Sequence, residues 1–217
     1  MSPRREPDLS QYGILAEYNR KRRFDVTPEP PGRPRKRRAK TLEFVVQKHR
    51  ASHLHYDFRL EHEGAMLSWA IPKGPSPDPA IKRLAMMTEP HPMDYNAFEG
   101  VIPEGEYGGG TVMIWDRGTW EPEVPDVTAA LAKGDLKLTL HGKKLRGSWV
   151  LVRTRNRQWL LIKHRDRFVS TDDLTVSKPQ SVVSRRNMDG IARAAHATPR
   201  QLALAQAADP PRASRTA

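Results

Sequence analysis

The chain has 217 residues, 37 Lys and Arg against 25 Asp and Glu, a formal charge of +12, and no cysteine. With mean hydropathy −0.70 and a pI near 10.2, this fits one ordinary domain with polar extensions and favours a polyanionic partner, nucleic acid or an anionic membrane surface. Disulfides and thiolate metal sites are excluded, so any metal must sit on His, Asp, Glu or carbonyl oxygen. No run of about 18 apolar residues exists for a transmembrane helix, and Met1 to Arg5 leads into no apolar signal region, so a cytoplasmic protein is expected.

Residues 1–40 are polar and broken by proline, with room for a short helix between Ser10 and Lys21. Two basic runs, Arg20 to Arg23 and Arg35 to Arg38, flank Thr27-Pro28-Glu29-Pro30-Pro31-Gly32. They read either as a solvated tail or as an arm that touches phosphates. Strand-like runs follow at Leu42 to Gln47, His53 to Leu60, Ala65 to Ile71 and Arg83 to Thr88. Glu61-His62-Glu63-Gly64 reads as a turn, and Pro72 to Pro77 as a rigid loop. Gly100 to Pro103 and Thr111 to Trp115 flank a glycine-rich loop, and Arg117-Gly118 is a turn signal. Val127 to Lys133 reads as a short helix ended by Gly134. Leu136 to Leu140, Gly147 to Thr154 and Trp159 to Lys163 complete the strands. Many short strands with Gly and Pro turns, and no helix–strand alternation, predict a mainly β fold. The expected form is a small closed or nearly closed β-barrel with short flanking helices and disordered termini. The expected division is a basic N-terminal segment at 1–40, a barrel at 41–175 and a flexible basic tail at 176–217.

The densest chemistry lies on His53-Leu54-His55-Tyr56-Asp57-Phe58-Arg59-Leu60. A period of two puts Leu54, Tyr56, Phe58 and Leu60 on one strand face, and His53, His55, Asp57 and Arg59 on the other. His55 and Asp57, with His49 arriving from just upstream, could cap a divalent transition metal; His53 is a rival ligand. Arg59 beside them could hold a phosphate oxygen. The plainer alternative is an exposed face that happens to be rich in His. A second constellation, Thr88 to Tyr95, holds His91 between two prolines in a stiff extended segment. There His91 could bind phosphate or act as a general acid, and Tyr95 could donate a hydroxyl hydrogen bond. The Pro103 to Thr111 loop lacks the Gly-Lys-Ser/Thr of a nucleotide-binding loop and reads as a hairpin turn. The five tryptophans read as barrel core.

Taken together, Phe44 to His49, Ser52 to Leu60, Ser68 to Pro75, Glu99 to Gly108, Trp115 to Trp120 and Trp159 to Lys163 resemble one family. It is the 3′-phosphoesterase domain of bacterial ATP-dependent DNA ligase D, here with no ligase or polymerase motif beside it. The resemblance implies a small β-barrel and a manganese-dependent enzyme, other divalent transition metals being open. Such an enzyme trims 3′ ends during non-homologous end joining, removing a terminal ribonucleoside and then the 3′-phosphate left behind. It implies His49, His55 and Asp57 as metal ligands and Arg59, His91 and Tyr95 around the phosphate. It implies that Gln47, Lys73, Arg83 and Glu29 matter to activity, together with Arg22 of the N-terminal segment. One departure stands beside Arg22, where the family often has an acidic residue and this chain has Arg23; charge pairing in that segment is the point at issue. The implied partners are 3′ ends of DNA or RNA–DNA primer–templates, with an end-joining ligase, polymerase or end-binding protein beyond them, and a monomer is expected. Two other classes stay in view. One is a nucleic-acid-binding barrel without strong catalysis, and the other is an oxygenase using the same two His and carboxylate on iron.

Overall fold

The structure is a computed structural model that describes residues 10–33 and 41–209, with side chains from Gly13 onward. The Arg35 to Arg38 run and the last residues of the expected tail lie outside the described residues. Nine antiparallel strands form one sheet: β1 (Leu42–Arg50), β2 (Leu54–His62), β3 (Ala65–Ile71), β4 (Arg83–Pro92), β5 (Gly100–Ile102), β6 (Gly110–Pro122), β7 (Asp135–Gly142), β8 (Arg146–Arg155) and β9 (Gln158–Lys163). The strand order is β1-β2-β3-β4-β9-β8-β7-β6-β5. Pairing of β1 with β6 closes eight strands into a barrel, with β5 left as a flap on β6. The helices are α1 (Ala16–Arg20), α2 (Val127–Lys133), α3 (Leu174–Ser177), α4 (Met188–Ala194) and α5 (Pro199–Ala208), with 3-10 turns at Ser10–Leu15 and Met93–Ala97. No helix of the described residues is long and apolar enough to cross a membrane.

The barrel follows from alternation. Phe44, Val46, Tyr56, Phe58, Leu60 and Ile71 point inward with the five tryptophans, and no tryptophan is more than 1% exposed. The other parity of β1 and β2 therefore faces outward, and this is the face that carries the chemistry. The β2–β3 turn is a tight one, with Glu63 and Gly64 both at positive φ. Val127–Lys133 forms as expected: the Asp126 carboxylate accepts from the Ala129 N–H, and Gly134 closes the helix in the left-handed region at φ 84°.

Three expectations are corrected. Arg117-Gly118 is not a turn, because β6 runs straight through it. A Cβ at Gly118 would lie 2.1 Å from the His141 carbonyl oxygen, so the glycine is there to let β7 approach. β4 runs past its expected end at Thr88 to Pro92 and so takes in His91, whose segment is extended as expected. Beyond Met87, β4 no longer pairs with β9 and keeps only β3 as neighbour, so Pro90 and Pro92 sit where one edge is free. The largest correction concerns the expected flexible tail at 176–217, whose residues up to Asp209 pack on the barrel. Met188, Ile191, Ala192, Ala205 and Ala208 are buried in the main core. Lys48, on β1 and 1% exposed, donates to the Ala208 carbonyl at 2.8 Å and pairs with Asp209 at 3.4 Å. Asp209 in turn accepts from the N–H groups of Met188 and Asp189 and ties α4 to α5.

Candidate metal centre and phosphate cavity

Register builds the site. Gln47 lies across from Asp57 and His49 across from His55 on the β1–β2 ladder, while Asp57 faces Ala70 and Arg59 faces Ser68 on β3. One outward patch thus carries Gln47, His49, His55, Asp57, Arg59 and Ser68. The ligand atoms offered by His49, His55 and Asp57 all lie within 4.8 Å of one another. His49 Nδ1 is 3.6 Å from one Asp57 oxygen and His55 Nε2 is 3.6 Å from the other.

The opposite nitrogen of each ring meets a backbone carbonyl: His49 Nε2 lies 2.8 Å from Gly108 O, and His55 Nδ1 lies 3.1 Å from His53 O. A carbonyl can only accept, so these nitrogens carry protons, which leaves the nitrogen facing Asp57 on each ring to bind an ion or to donate to the carboxylate. That is the tautomer arrangement of metal-binding histidines, and the residues fit a divalent ion. His53 contributes its carbonyl; its side chain is exposed outside the strand. Burial would push the Asp57 carboxyl up, but Arg59 and the two imidazoles overcome this and hold it well below the usual carboxylate range. Burial would push the His55 ring down, yet the Asp57 carboxylate holds it above its usual value. An ion and a proton thus compete for the same lone pair.

Arg59 is 2% exposed and fixed on three sides. It donates through Nε to Gln47 Oε1 at 2.9 Å, to Ser68 Oγ at 2.5 Å and to Asp57 Oδ2 at 3.1 Å. Two of its five N–H donors remain for an anion. Gln47 also donates from Nε2 to the carbonyls of Tyr95 and Phe98, at 3.1 and 3.0 Å, which seats the Met93–Ala97 turn over the strands. Tyr95 is buried there under Arg59, Tyr18 and His91. Burial, with Glu29 adding to it, keeps its phenol far above the usual value.

The N-terminal segment forms the roof. Arg22 donates from Nε to Glu29 at 2.8 Å, lies 3.5 Å from Glu89 and stacks 3.8 Å from the centre of the Tyr18 ring. Its NH2 group is 3.2 Å from His91 Nε2. His91 Nδ1 lies 2.9 Å from the Glu89 carbonyl and so carries its proton. Burial, then Arg59 and Arg22, hold the ring well below its usual value. A neutral His91 ring accepts from Arg22 through Nε2. Arg23 pairs with Glu106 across the glycine loop, so the departure at this position creates a charge pair. Lys21 reaches Glu89 at 3.0 Å and the Tyr107 hydroxyl at 3.3 Å.

These groups enclose a cavity of about 250 Å³, lined by Arg22, His49, His55, Asp57, Arg59, Glu89, His91 and Tyr95 among others. Gln47 and Glu29 stand just behind it. Lys73, exposed, and Arg83, half-buried, do not line it; Lys73 comes after Ala70 and Arg83 before Met86, on the far side of the point where those two residues pair. Sequence reasoning missed Ser68 and Glu89. Ser68 carried a signal: it is the one hydroxyl in the apolar run Ala65 to Ile71, on the outward parity and opposite Arg59.

The DNA ligase D 3′-phosphoesterase domain family matches residues 47–153, a span that holds all three candidate ligands. The chain is 52% identical over 182 residues to the multifunctional non-homologous end joining protein LigD of Pseudomonas aeruginosa, covering 80% of this chain and 22% of that protein. It is 40% identical over 157 residues to the LigD of Mycolicibacterium smegmatis (70% of this chain, 21% of that protein). With the LigD of Mycobacterium tuberculosis it shares 41% over 146 residues (67% and 19%). The chain thus spans about a fifth of the length of these relatives. With the barrel and the converging side chains, these matches establish that the chain belongs to the family of DNA ligase D 3′-phosphoesterase domains.

Proposed function

We propose that the chain is a divalent-metal-dependent phosphoesterase that heals 3′ ends of nucleic acid in DNA end joining. It would remove a 3′-terminal ribonucleoside and then the remaining 3′-phosphate. The observation that carries this reading is the convergence of His49 Nδ1, His55 Nε2 and Asp57 beside a buried Arg59 with donors to spare. A divalent ion bound to these three residues, manganese by the family resemblance, supplies a Lewis acid that neutralises phosphate charge and lowers the pKa of bound water. Arg59 binds a phosphoryl oxygen and is positioned by Gln47 and Ser68, so it need not reorganise as charge develops. Arg22, held by Glu29 and Glu89, is a second cation at the same cavity. When Arg22 turns to an entering phosphate, His91 Nε2 is freed to accept a hydroxyl hydrogen bond. A cavity of about 250 Å³ takes a phosphate and a sugar with the base outside, which suits a terminal group rather than an internal one. Both hydrolyses use one phosphate seat: the first breaks the P–O bond to the terminal ribonucleoside, and the second releases inorganic phosphate and leaves a 3′-hydroxyl.

The test is a primer–template ending in one ribonucleotide, incubated with Mn²⁺ and resolved at single-nucleotide length. A 3′-phosphate species should appear first and a 3′-hydroxyl species second. A chain that binds the primer but leaves both ends intact is a binding module, and the reading fails.

Glu29 gives a separate prediction. It is 3% exposed, accepts from Arg22 and Thr27, and touches nothing solvent-facing. Glu29→Ala frees Arg22 from its fixed pose without removing positive charge. The maximal rate should fall about 10-fold to 100-fold, as when an orienting partner is lost, with primer affinity within about 3-fold. An unchanged maximal rate at saturating primer would reduce the N-terminal segment to an electrostatic arm.

A further inference from the structure

Next to the candidate site is a second cleft, about 330 Å³, between the glycine loop 103–109 and the first turn of α5. Ala51 and Gly108 line both cavities, so the two adjoin at the backbone that anchors His49. We propose that this cleft carries the nucleic-acid strand leading 5′-ward from the reacting end, with Arg200 and Arg50 on its phosphates; this rests on the function proposed above.

Four observations converge. Arg50, at the end of β1, and Arg200, on α5, both line the cleft, and neither has a carboxylate partner among the described residues. Of the two acids that line the cleft, Glu106 is paired with Arg23, while Glu104 keeps its charge and accepts from Thr198 Oγ1 at 2.8 Å. The helix wall is fixed in place. Thr198 and Gln201 form a capping box, and Gln201 Nε2 donates to the Ile102 carbonyl at 2.8 Å, which pins α5 to β5. Finally, an arginine in the first turn of a helix stands at the positive end of the helix dipole, where it does not help stability. An exposed cation at that position, lining a cleft and without a carboxylate partner among the described residues, is explained by an anion outside the chain. Gly105, Gly108, Gly109 and Gly110 on the opposite wall expose backbone between the Glu104 and Glu106 side chains and let a phosphodiester strand come close there. Because α5 lies outside the span 47–153, this assigns a substrate role to the C-terminal helix pair.

Arg200 is the residue to change, because Arg50 also holds the carbonyls of Ala51 and Ser52 at 3.1 and 2.7 Å. Binding of a 5′-labelled single-stranded decamer with a 3′-phosphate is followed by fluorescence anisotropy over a salt series, with chelator present so that nothing turns over. Arg200→Ala should weaken binding several-fold and reduce the log–log salt slope by about 0.7, the value for one single-strand phosphate contact. Arg200→Lys should restore the slope. Arg155→Ala, at the end of β8 and away from both cavities, should change neither quantity. An Arg200→Ala slope equal to wild type, or equal losses from Arg155→Ala, overturns the strand path. Phosphate release with Mn²⁺ is measured in parallel. Its absence from wild type would sink the proposed reaction, whereas the salt slope decides the cleft independently.

Discussion

His55→Ala should lose at least about 100-fold in phosphate release, the loss expected when a ligand rather than an outer partner is removed, while melting within a few degrees of wild type. The side chain is 23% exposed, and it meets the His53 carbonyl, the Asp57 carboxylate and the His49 ring, all of them at the site rather than in the barrel core. Its truncation therefore removes a ligand atom and little core. Asp57→Ala should abolish activity as fully but for two reasons at once. It strips the shared carboxylate and leaves Arg59, 2% exposed, without its counter-charge. Breaking a buried pair from one side costs about 3–5 kcal/mol, so a melting temperature lower by on the order of 10 °C is expected. The contrast is the informative part. Equal melting of the two variants would mean that Asp57 does not compensate Arg59, and near-normal turnover by His55→Ala would remove it from the ligand set.

A chain ending at residue 184 should fail to fold stably. It loses Met188 and Ile191, each worth about 1.5–3 kcal/mol on full burial, and the alanines packed with them. It also leaves Lys48 inside the barrel without Ala208 O or Asp209. Burial already pushes the Lys48 amine below its usual value, and an unpartnered buried ammonium costs several kcal/mol more. The sum rivals the entire stability of an ordinary domain, about 5–15 kcal/mol. Circular dichroism and thermal melting of the shortened chain check this. A cooperative melt near the wild-type temperature would show that α4 and α5 are appendages after all.

The sequence made the barrel and the ligand face legible because both depend on period-two alternation, which survives from residue to residue along Leu54 to Leu60. It concealed the C-terminal helices for an equally physical reason. They dock through Ala192, Ala205 and Ala208, whose small side chains carry almost no hydropathy signal, and through an interior lysine on a strand far away in the chain. Gly118 misled because a glycine needed for close strand approach looks identical to a turn glycine. The prolines flanking His91 misled because a half-free strand edge tolerates what an interior strand does not. The N-terminal roof was reached only by family resemblance. No local pattern announces that Arg22 will meet Glu29, Glu89 and His91, or that Arg23 will find Glu106.

The central claim is that His49, His55 and Asp57 hold the ion that lets this cavity hydrolyse a 3′-phosphate. The most direct measurement is release of inorganic phosphate from a 3′-phosphorylated primer by chelator-stripped protein, before and after Mn²⁺ is returned. The account predicts no release from the stripped protein, full recovery on adding Mn²⁺, and no recovery with His55→Ala at the same metal concentration. Release that persists in excess chelator, or that returns equally in His55→Ala, would contradict it.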